Sequence, residues 1–212
     1  MTVKEFLSKI TIALNQPLPG IKAHQLLTPG KRPLTRDEVE DIDNYRKSAV
    51  SIICYPENDV VNAILIQRPQ YNGTHGGQIS FPGGKVEEED FSVENAARRE
   101  ANEEIGWELN DEDFLGELTE LFIPVSKFSV QPFLYFCKHP QQFIPDEREV
   151  AEVIHFPIEI LLDDATIKKT SLRMQSGINL KDVPYFDIDN RVVWGATAII
   201  LSELRAMFKQ SV

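Results

Sequence analysis

The segment from Pro82 to Trp107 constrains the fold more than any other part of the sequence. A short apolar stretch ends at Pro82-Gly83-Gly84, and Ser92–Ile105 then runs without an internal glycine or proline until Gly106. This pattern predicts a helix that ends at a glycine, the residue best suited to a left-handed C-cap. One stripe of the helix is small or apolar and consists of Val93, Ala97, Ala101 and Ile105. Small side chains permit a close approach, so we expect the helix to pack directly on a β-sheet.

Apolar, β-branched segments on both sides of this helix predict the strands of that sheet. In chain order they are Ala49–Tyr55, Asn62–Gln67, Gln78–Phe81, Leu115–Ile123, Val130–Cys137 and Val150–Phe156. Less regular patterns predict strands at Ile167–Met174 and Val183–Ile188, and a closing helix at Val192–Phe208 that begins near Trp194, a residue we expect in the core. Strands interspersed with helices predict an α+β fold, an α-β-α sandwich with a mixed sheet.

Residues 1–47 differ in character from the remainder of the chain. Residues 3–14 predict a short amphipathic helix, and a stretch punctuated by proline and glycine follows it, with one helical turn expected after Thr35. We therefore expect an N-terminal helical extension, residues 1–47, packed on a domain of residues 48–212. Two roles are open for the extension: a homodimer contact or a cover over the substrate site.

The charge balance excludes several classes of partner. The chain carries 33 Asp and Glu residues against 22 Lys and Arg residues, a formal charge of -11, and has no basic block, which argues against binding to nucleic acid. No apolar run approaches the roughly 18 residues of a membrane span, and the N-terminal segment does not resemble a signal peptide. We therefore expect no membrane partner and a cytoplasmic location, with Cys54 and Cys137 as reduced, buried thiols.

Three carboxylates on the predicted helix suggest a metal site. Glu100, Glu103 and Glu104 stand at positions i, i+3 and i+4, so they form one stripe, and Glu104 falls almost within the apolar arc. Oxygen ligands with no histidine or cysteine nearby suit Mg²⁺ or Mn²⁺. A solvated acidic face is the usual explanation for such a stripe. Here the alanines favour a helix packed closely enough on the sheet to hold the acids at a cleft.

Residues flanking the acids complete the pattern. Gly83 and Gly84 permit backbone approaches that a side chain would block. Arg99 can pair with an acid of the preceding loop, either Glu87 or Asp90, or it can be an ordinary surface arginine.

Gly84 and the run Arg99-Glu100-Ala101-Asn102-Glu103-Glu104-Ile105-Gly106-Trp107 resemble the signature box of the Nudix hydrolases. Asp90 stands where the family pattern has a glutamate, and Arg99 follows one residue late, as a single insertion in the loop would place it. The resemblance implies the Nudix α-β-α sandwich and hydrolysis of a diphosphate linked to a nucleoside. It also implies that Glu100, Glu103 and Glu104 hold the divalent ions, with Glu103 and Arg99 among the catalytic residues.

A narrower resemblance points to the coenzyme A diphosphatase branch of the family. Arg68, Gly77 and Phe81-Pro82-Gly83-Gly84 match the motif of that branch, whereas Ile66, Pro69 and Gly73 depart from it. Four segments are similar to that branch: Gly77–Gly84, Pro124–Phe133, Glu149–Val153 and Trp194–Ala198. The resemblance implies coenzyme A or an acyl-coenzyme A as substrate, with 3′,5′-ADP and 4′-phosphopantetheine as products.

The departures keep two other functions open. Gly73 replaces an arginine and Ile66 a threonine, which favours an ADP-ribose-like or other nucleoside diphosphate derivative. If no other cation compensates for Gly73, we expect coenzyme A and its dephospho form to be hydrolysed almost equally. A binding module without turnover is the other alternative, against which the intact acids argue.

Further site residues are expected outside the helix. A general base or an additional metal ligand could come from Glu147, Glu149 or Glu152, and we rank Glu149 first because it leads a segment that matches the branch; an exposed acidic loop is the alternative. We expect Arg68 to bind a substrate phosphate, unless it forms a rim salt bridge, and Gln78, Gly83 and Gly84 to contact the substrate. His75 is a further, less specific candidate.

Overall fold

The computed structural model describes residues 1–30, 35–70, 76–173 and 177–210. Gly73 and His75 lie outside these ranges, so the predictions made for them have no structural counterpart. Within the described residues, no helix has both the length and the apolar character needed to span a bilayer.

Four α-helices lie in the described residues: α1 (Val3–Leu14), α2 (Gly20–Leu27), α3 (Val93–Ile105) and α4 (Gly195–Gln210). The strands, in chain order, are β1 (Arg46–Glu57), β2 (Val60–Gln67), β3 (Ile79–Ser80), β4 (Gly83–Lys85), β5 (Phe114–Glu117), β6 (Leu121–Ile123), β7 (Phe128–Phe136), β8 (Glu152–Pro157), β9 (Ile167–Arg173), β10 (Asn179–Ile188) and β11 (Arg191–Trp194). Short 3₁₀ turns cover Arg36–Glu38, Ile42–Asn44, Asp111–Asp113, Ile158–Leu162 and Asp164–Thr166. The turn expected after Thr35 is thus present.

β1 is the central strand of a mixed sheet. It runs parallel to β7, from the pair Arg46↔Phe128 to Cys54↔Phe136. On its other side β1 pairs antiparallel with β4 and then with β2, and β2 continues to β8. A separate antiparallel sheet has the strand order β11-β10-β9.

Helices cover both faces of the mixed sheet, because successive strand residues point to opposite sides. On one face, Ile53 and Ile64 are buried with the alanines of α3. On the other face, Ile52 and Leu65 are buried with apolar residues of α1 and α4. The predicted α-β-α sandwich on a mixed sheet is confirmed, and Cys54 and Cys137 are buried free thiols.

Three secondary-structure predictions were wrong in detail. The stretch punctuated by proline and glycine, in which only a turn after Thr35 is predicted, contains α2, which begins at Gly20 directly after Pro19. The single strand predicted at Leu115–Ile123 is divided into β5 and β6, with a register irregularity between Phe114 and Gly116. The closing helix begins at Gly195, and Trp194 belongs to the preceding strand β11.

Candidate active site

Helix α3 is fixed on the sheet by its small residues. Ala97 and Ala101 are fully buried, and the Ser51 hydroxyl of β1 donates a hydrogen bond of 2.9 Å to the Ala97 carbonyl. The Ser92 hydroxyl caps the first turn by accepting from the Asn95 N–H, and Gly106 ends the helix with a φ of 72°. The position of the acidic stripe is therefore set by close helix–sheet packing.

Glu104 is the buried acid of this stripe, as its place near the apolar arc predicted. Its side chain is 1% exposed and accepts hydrogen bonds from the Gly83 N–H at 2.8 Å and from Arg68 Nη2 at 3.3 Å. Burial raises the pKa of Glu104 to about 8, since the Gly83 N–H and the Arg68 charge offset only part of the lost solvation. The ionised Glu104 carboxylate is thus under-compensated, meaning that its neighbours stabilise its charge less well than water would. A further cation nearby would stabilise it.

Gly83 and Gly84 begin strand β4 and allow its backbone to pass close to both β1 and the acids of α3. A Cβ atom on Gly83 would lie 2.3 Å from the Ala49 carbonyl oxygen, and one on Gly84 would lie 2.2 Å from Oε1 of Glu100. Both distances are far below van der Waals contact. A side chain at either position would therefore displace the strand or the Glu100 carboxylate.

Arg99 holds the loop and the acids together. Its guanidinium makes a bidentate pair with Asp90, with both N···O distances 3.0 Å, and donates to Glu100 at 3.1 Å and Glu103 at 2.9 Å. Of the two loop acids considered as partners, the structure pairs Asp90 with Arg99, whereas Glu87 donates its backbone N–H to Asp90. The hydrogen bonds from Arg99 hold the pKa of Asp90 below its usual range.

The three acids of α3 thus lie in adjoining hydrogen-bond networks. Glu100 and Glu103 are bound by Arg99, and Glu104 is bound by Gly83 and Arg68. Across the described ranges, no three histidine, cysteine or acidic side chains are grouped in this conformation so as to hold a metal ion. A cation at this site would compete with Arg99 for Glu100 and Glu103. Burial raises the pKa of Glu100 also, and the charges of Glu103 and Glu149 add to the effect.

The loop before β8 brings Glu149 to the acids. Ile144 and Asp146 donate backbone hydrogen bonds to the carbonyls of Ile105 and Glu104, at 2.9 and 3.0 Å. These bonds anchor the loop at the C-terminal end of α3. Glu149 is exposed, and its charge raises the pKa values of both Glu100 and Glu104, after the larger effect of their burial.

The other two candidates for a base are placed differently. Glu152 begins β8, and its carboxylate accepts a hydrogen bond from Arg191 at 2.6 Å. Glu152 lies opposite Gln67 in the strand register. Its side chain points to the same side of β8 as that of Ile154, which is buried in the core on the α4 face of the sheet. Glu147 is exposed. Of these three, Glu149 is the one whose charge is among the main influences on the pKa values of Glu100 and Glu104.

Two further predicted residues lie at the same edge of the sheet. Arg68 follows β2 and contacts Glu104, and its backbone N–H donates to the Gln78 carbonyl at 3.0 Å. Gln78 lines a cavity of about 350 Å³ on the opposite face, together with Trp194. The expectation that Trp194 belongs to the core was wrong: it is half-buried and faces this cavity.

Sequence reasoning missed the arginines of this cavity. Arg173 ends β9 and Arg191 begins β11, and both line it. A signal was present at Asp189-Asn190, because two such residues between β-like segments favour a tight hairpin turn that would have placed Arg191 on a strand.

Comparison with known proteins gives concordant results. A family model described as "NUDIX domain" matches residues 45–174. "Nudix hydrolase 15, mitochondrial" from Arabidopsis thaliana is 33% identical over 178 residues, which cover 80% of this chain and 60% of that protein. "Uncharacterized Nudix hydrolase NudL" from Yersinia pestis is 28% identical over 203 residues, which cover 95% of this chain and 92% of its own length. The crystal structure of a MutT/nudix family protein from Enterococcus faecalis shares the fold, with a TM-score of 0.54, 15% identity, and coverage of 99% of this chain and 70% of that one.

Proposed function

Since the chain belongs to the Nudix hydrolase family, we propose that it hydrolyses the diphosphate bond of coenzyme A or an acyl-coenzyme A with the help of Mg²⁺ or Mn²⁺. The products are 3′,5′-ADP and 4′-phosphopantetheine. The observation that carries the proposal is the buried, under-compensated Glu104 beside Gly83-Gly84 and Arg68, at the residues that match the branch motif.

The acids of α3 fit a divalent cation. Glu104 is 1% exposed, and Arg68 is the one cation paired with it among the described residues, while Glu100 is largely buried beside it. Burying carboxylates this closely without a counter-charge is costly, and hard oxygen donors suit Mg²⁺ or Mn²⁺. Glu100, Glu103 and Glu104 would hold the ion. When bound, the ion supplies charge neutralisation at the phosphate oxygens and lowers the pKa of water.

The remaining residues position the substrate and the attacking water. Arg68 is partly exposed between Glu104 and the Gly83 carbonyl, so its guanidinium can also donate to a diphosphate oxygen. Gly83 and Gly84 bring backbone close to the same point. Arg99 acts as a positioning residue, since it fixes Glu100, Glu103 and the Asp90 loop.

Glu149 is the group best placed to accept the proton of water. It is exposed at the cleft and close enough to Glu100 and Glu104 to affect their pKa values. Water then attacks phosphorus, the proton passes to the Glu149 carboxylate, and the bond to the bridging diphosphate oxygen breaks. Positioning and charge neutralisation supply most of the rate in such a reaction.

A second substrate class has its own supporting observation. Ile66 and Gly73 replace the threonine and the arginine of the coenzyme A motif, which favours an ADP-ribose-like or other nucleoside diphosphate derivative. Both classes use the same acids. They differ in the protein groups that recognise the parts of the substrate other than the diphosphate.

The test is a substrate panel with purified protein. Coenzyme A, acetyl-coenzyme A, ADP-ribose, NADH and diadenosine polyphosphates are incubated with Mg²⁺ or Mn²⁺, and products are separated by chromatography. We expect coenzyme A or its thioester to have the highest kcat/KM. A preference for ADP-ribose would assign the second class, and binding without hydrolysis of any compound would indicate a module without turnover.

Glu104→Gln is the matched variant for the panel. It keeps the acceptor for the Gly83 N–H and removes the charge, so turnover should fall by about a hundredfold or more. Thermal stability without metal should be unchanged or higher, because a poorly compensated buried charge is lost. Near-normal activity in both Glu104→Gln and Glu100→Gln would contradict the metal assignment.

A further inference from the structure

A cavity of about 350 Å³ opens on the face of the mixed sheet opposite α3. It lies where the end of β2 and the start of β3 meet the three-stranded sheet. The residues that bear on its chemistry are Gln67, Gln78, Arg173, Arg191 and Trp194. None of them takes part in the hydrolytic site described above except Gln78, which was expected to contact substrate.

The cavity and the acids of α3 share one edge of the sheet. Gln67 and Arg68 are consecutive: Gln67 lines the cavity, and Arg68 contacts Glu104 at 3.3 Å on the other face. The Gln78 carbonyl accepts from the Arg68 N–H at 3.0 Å, so the cavity wall is joined directly to the hydrolytic site. A substrate whose diphosphate lies at Arg68 therefore has the cavity within reach of one of its arms.

The residues that line the cavity suit a ligand with an anionic group and a flat aromatic ring. Two guanidinium groups line it, in a chain whose formal charge is -11. Arg191 is about one-third exposed and is balanced by Glu152 at 2.6 Å, while Arg173 is exposed at the end of β9. Trp194 is half-buried, and Ile79 and Leu172 add apolar wall.

We propose that this cavity binds the nucleoside arm of the substrate, with the base against Trp194 and a phosphate monoester outside the diphosphate held by Arg173 and Arg191. The assignment rests on the proposed function, since it takes the substrate to be a nucleoside diphosphate derivative that carries a third phosphate. Guanidinium groups bind phosphate through paired N–H donors, and an indole stacks on any base. Gln67 and Gln78 supply amide groups for the sugar and base edges.

This assignment changes the expectation drawn from Gly73. Sequence alone predicts almost equal hydrolysis of coenzyme A and dephospho-coenzyme A, because one cation of the branch motif is absent. Arg173 in β9 and Arg191 in β11 are distant from Gly73 in sequence. They supply positive charge from the face of the mixed sheet opposite α3. Coenzyme A is then preferred over its dephospho form.

The experiment measures binding by titration calorimetry with adenosine 3′,5′-bisphosphate and with AMP, which lacks the 3′-phosphate. The wild-type protein should bind the bisphosphate about ten- to a hundredfold more tightly, the range that corresponds to one charged hydrogen bond. Arg173→Gln and Arg191→Gln should each reduce that ratio several-fold and leave AMP binding nearly unchanged. Lys169→Gln is the control, because Lys169 is an exposed cation of the same strand that does not line the cavity.

Two more variants separate binding from structural effects. Glu152→Gln removes the partner of Arg191, so it should preserve or strengthen bisphosphate binding if Arg191 acts on the ligand; a loss equal to that of Arg191→Gln would mean that the ion pair matters only to the fold. Trp194→Leu should weaken both nucleotides alike, about tenfold or more. Melting temperatures establish that each variant folds.

The outcomes distinguish this inference from the proposed function. Equal binding of the bisphosphate and AMP, or a ratio that neither arginine variant changes, overturns the inference whatever the protein hydrolyses. An arginine-dependent ratio in a protein that hydrolyses neither coenzyme A nor its dephospho form supports the cavity and overturns the proposed substrate. Where both hold, kcat/KM should favour coenzyme A, and Arg173→Gln should reduce that preference several-fold.

Discussion

At the scale of single residues, the placement of Glu147, Glu149 and Glu152, in the loop before β8 and at the start of that strand, decides which of them can act at the site. Glu149 affects the carboxylates of α3, Glu152 is paired with Arg191 on the opposite face, and Glu147 is exposed. The backbone bonds from Ile144 and Asp146 to the end of α3 create this difference, because they hold the loop against the helix. Charge alone, which the three share, could not have ranked them.

Glu149→Gln tests this ranking. Removal of a base that acts in the transition state should lower kcat by about a hundredfold or more and change KM little. Steady-state kinetics on the best substrate of the panel provide the measurement, with Glu147→Gln as the control from the same loop. If Glu152→Gln is severely impaired and Glu149→Gln is not, the ranking is wrong.

Helical periodicity predicted part of this residue-level arrangement. It placed Glu104 near the apolar arc, and the carboxylate is indeed buried. It could not identify the Gly83 N–H and Arg68 as its partners, since these lie 21 and 36 residues away and meet Glu104 only through the path of the sheet. Asp90 was one of two loop acids compatible with Arg99, and only the folded loop distinguishes them.

At the scale of elements, the helices and strands with strong internal patterns were predictable and those fixed by tertiary contact were not. The predictions for α1 and α3 agree with the structure to within a residue, because capping and apolar spacing are local signals. α2 is only eight residues long and follows two prolines, so its stability comes from packing on α4. β11 was read as helix because its apolar residues continue into those of α4, and only Gly195, with a φ of 66°, separates the two.

α2 is joined to α4 by a buried acid. Glu203 accepts from His24 Nε2 at 3.0 Å, from the Gly20 N–H at 2.9 Å and from the Thr119 hydroxyl at 2.6 Å. Both ionisable side chains are fully buried. Burial alone would raise the pKa of Glu203, but these hydrogen bonds hold it below the ordinary value.

Glu203→Gln should therefore destabilise the protein by about 3 kcal/mol near neutral pH, since several buried donors lose a charged acceptor. The folded pKa is depressed, so the stabilisation is complete above the ordinary value of 4.5 and is lost as the pH falls through the folded value. Urea unfolding at about pH 7 and about pH 4 should show a smaller difference from wild type at the lower pH. Glu117→Gln, an exposed acid on β5, is the control, and an equal effect of the two substitutions would contradict the role of Glu203.

At the scale of the whole molecule, the face of the sheet away from α3 is completed by residues from both ends of the described chain. The ring of Phe6 in α1 lies 5.4 Å from that of Phe136 and 5.7 Å from that of Phe208 in α4. Phe6 is fully buried. The division into an extension and a core domain stays a prediction, but the core on this face includes α1.

Phe6→Ala should cost about 3–5 kcal/mol, because it leaves a cavity between two other aromatic rings. Ile12→Ala is the control from the same helix, since Ile12 is 44% exposed and its truncation should change stability little. Denaturant unfolding followed by circular dichroism gives both values. A small effect of Phe6→Ala would show that α1 is only loosely held.

The contact between α1 and α4 also sets an order of events during synthesis. Lys9 and the Phe208 carbonyl that it approaches are 199 residues apart in sequence. The parallel edge of β1 likewise can be paired only after β7 has been synthesised. Contacts this distant form late, after the loops between them have closed. Phe6 and Ile10 are therefore synthesised before the α4 residues that help to cover them, so these apolar side chains stay uncovered until α4 has been made.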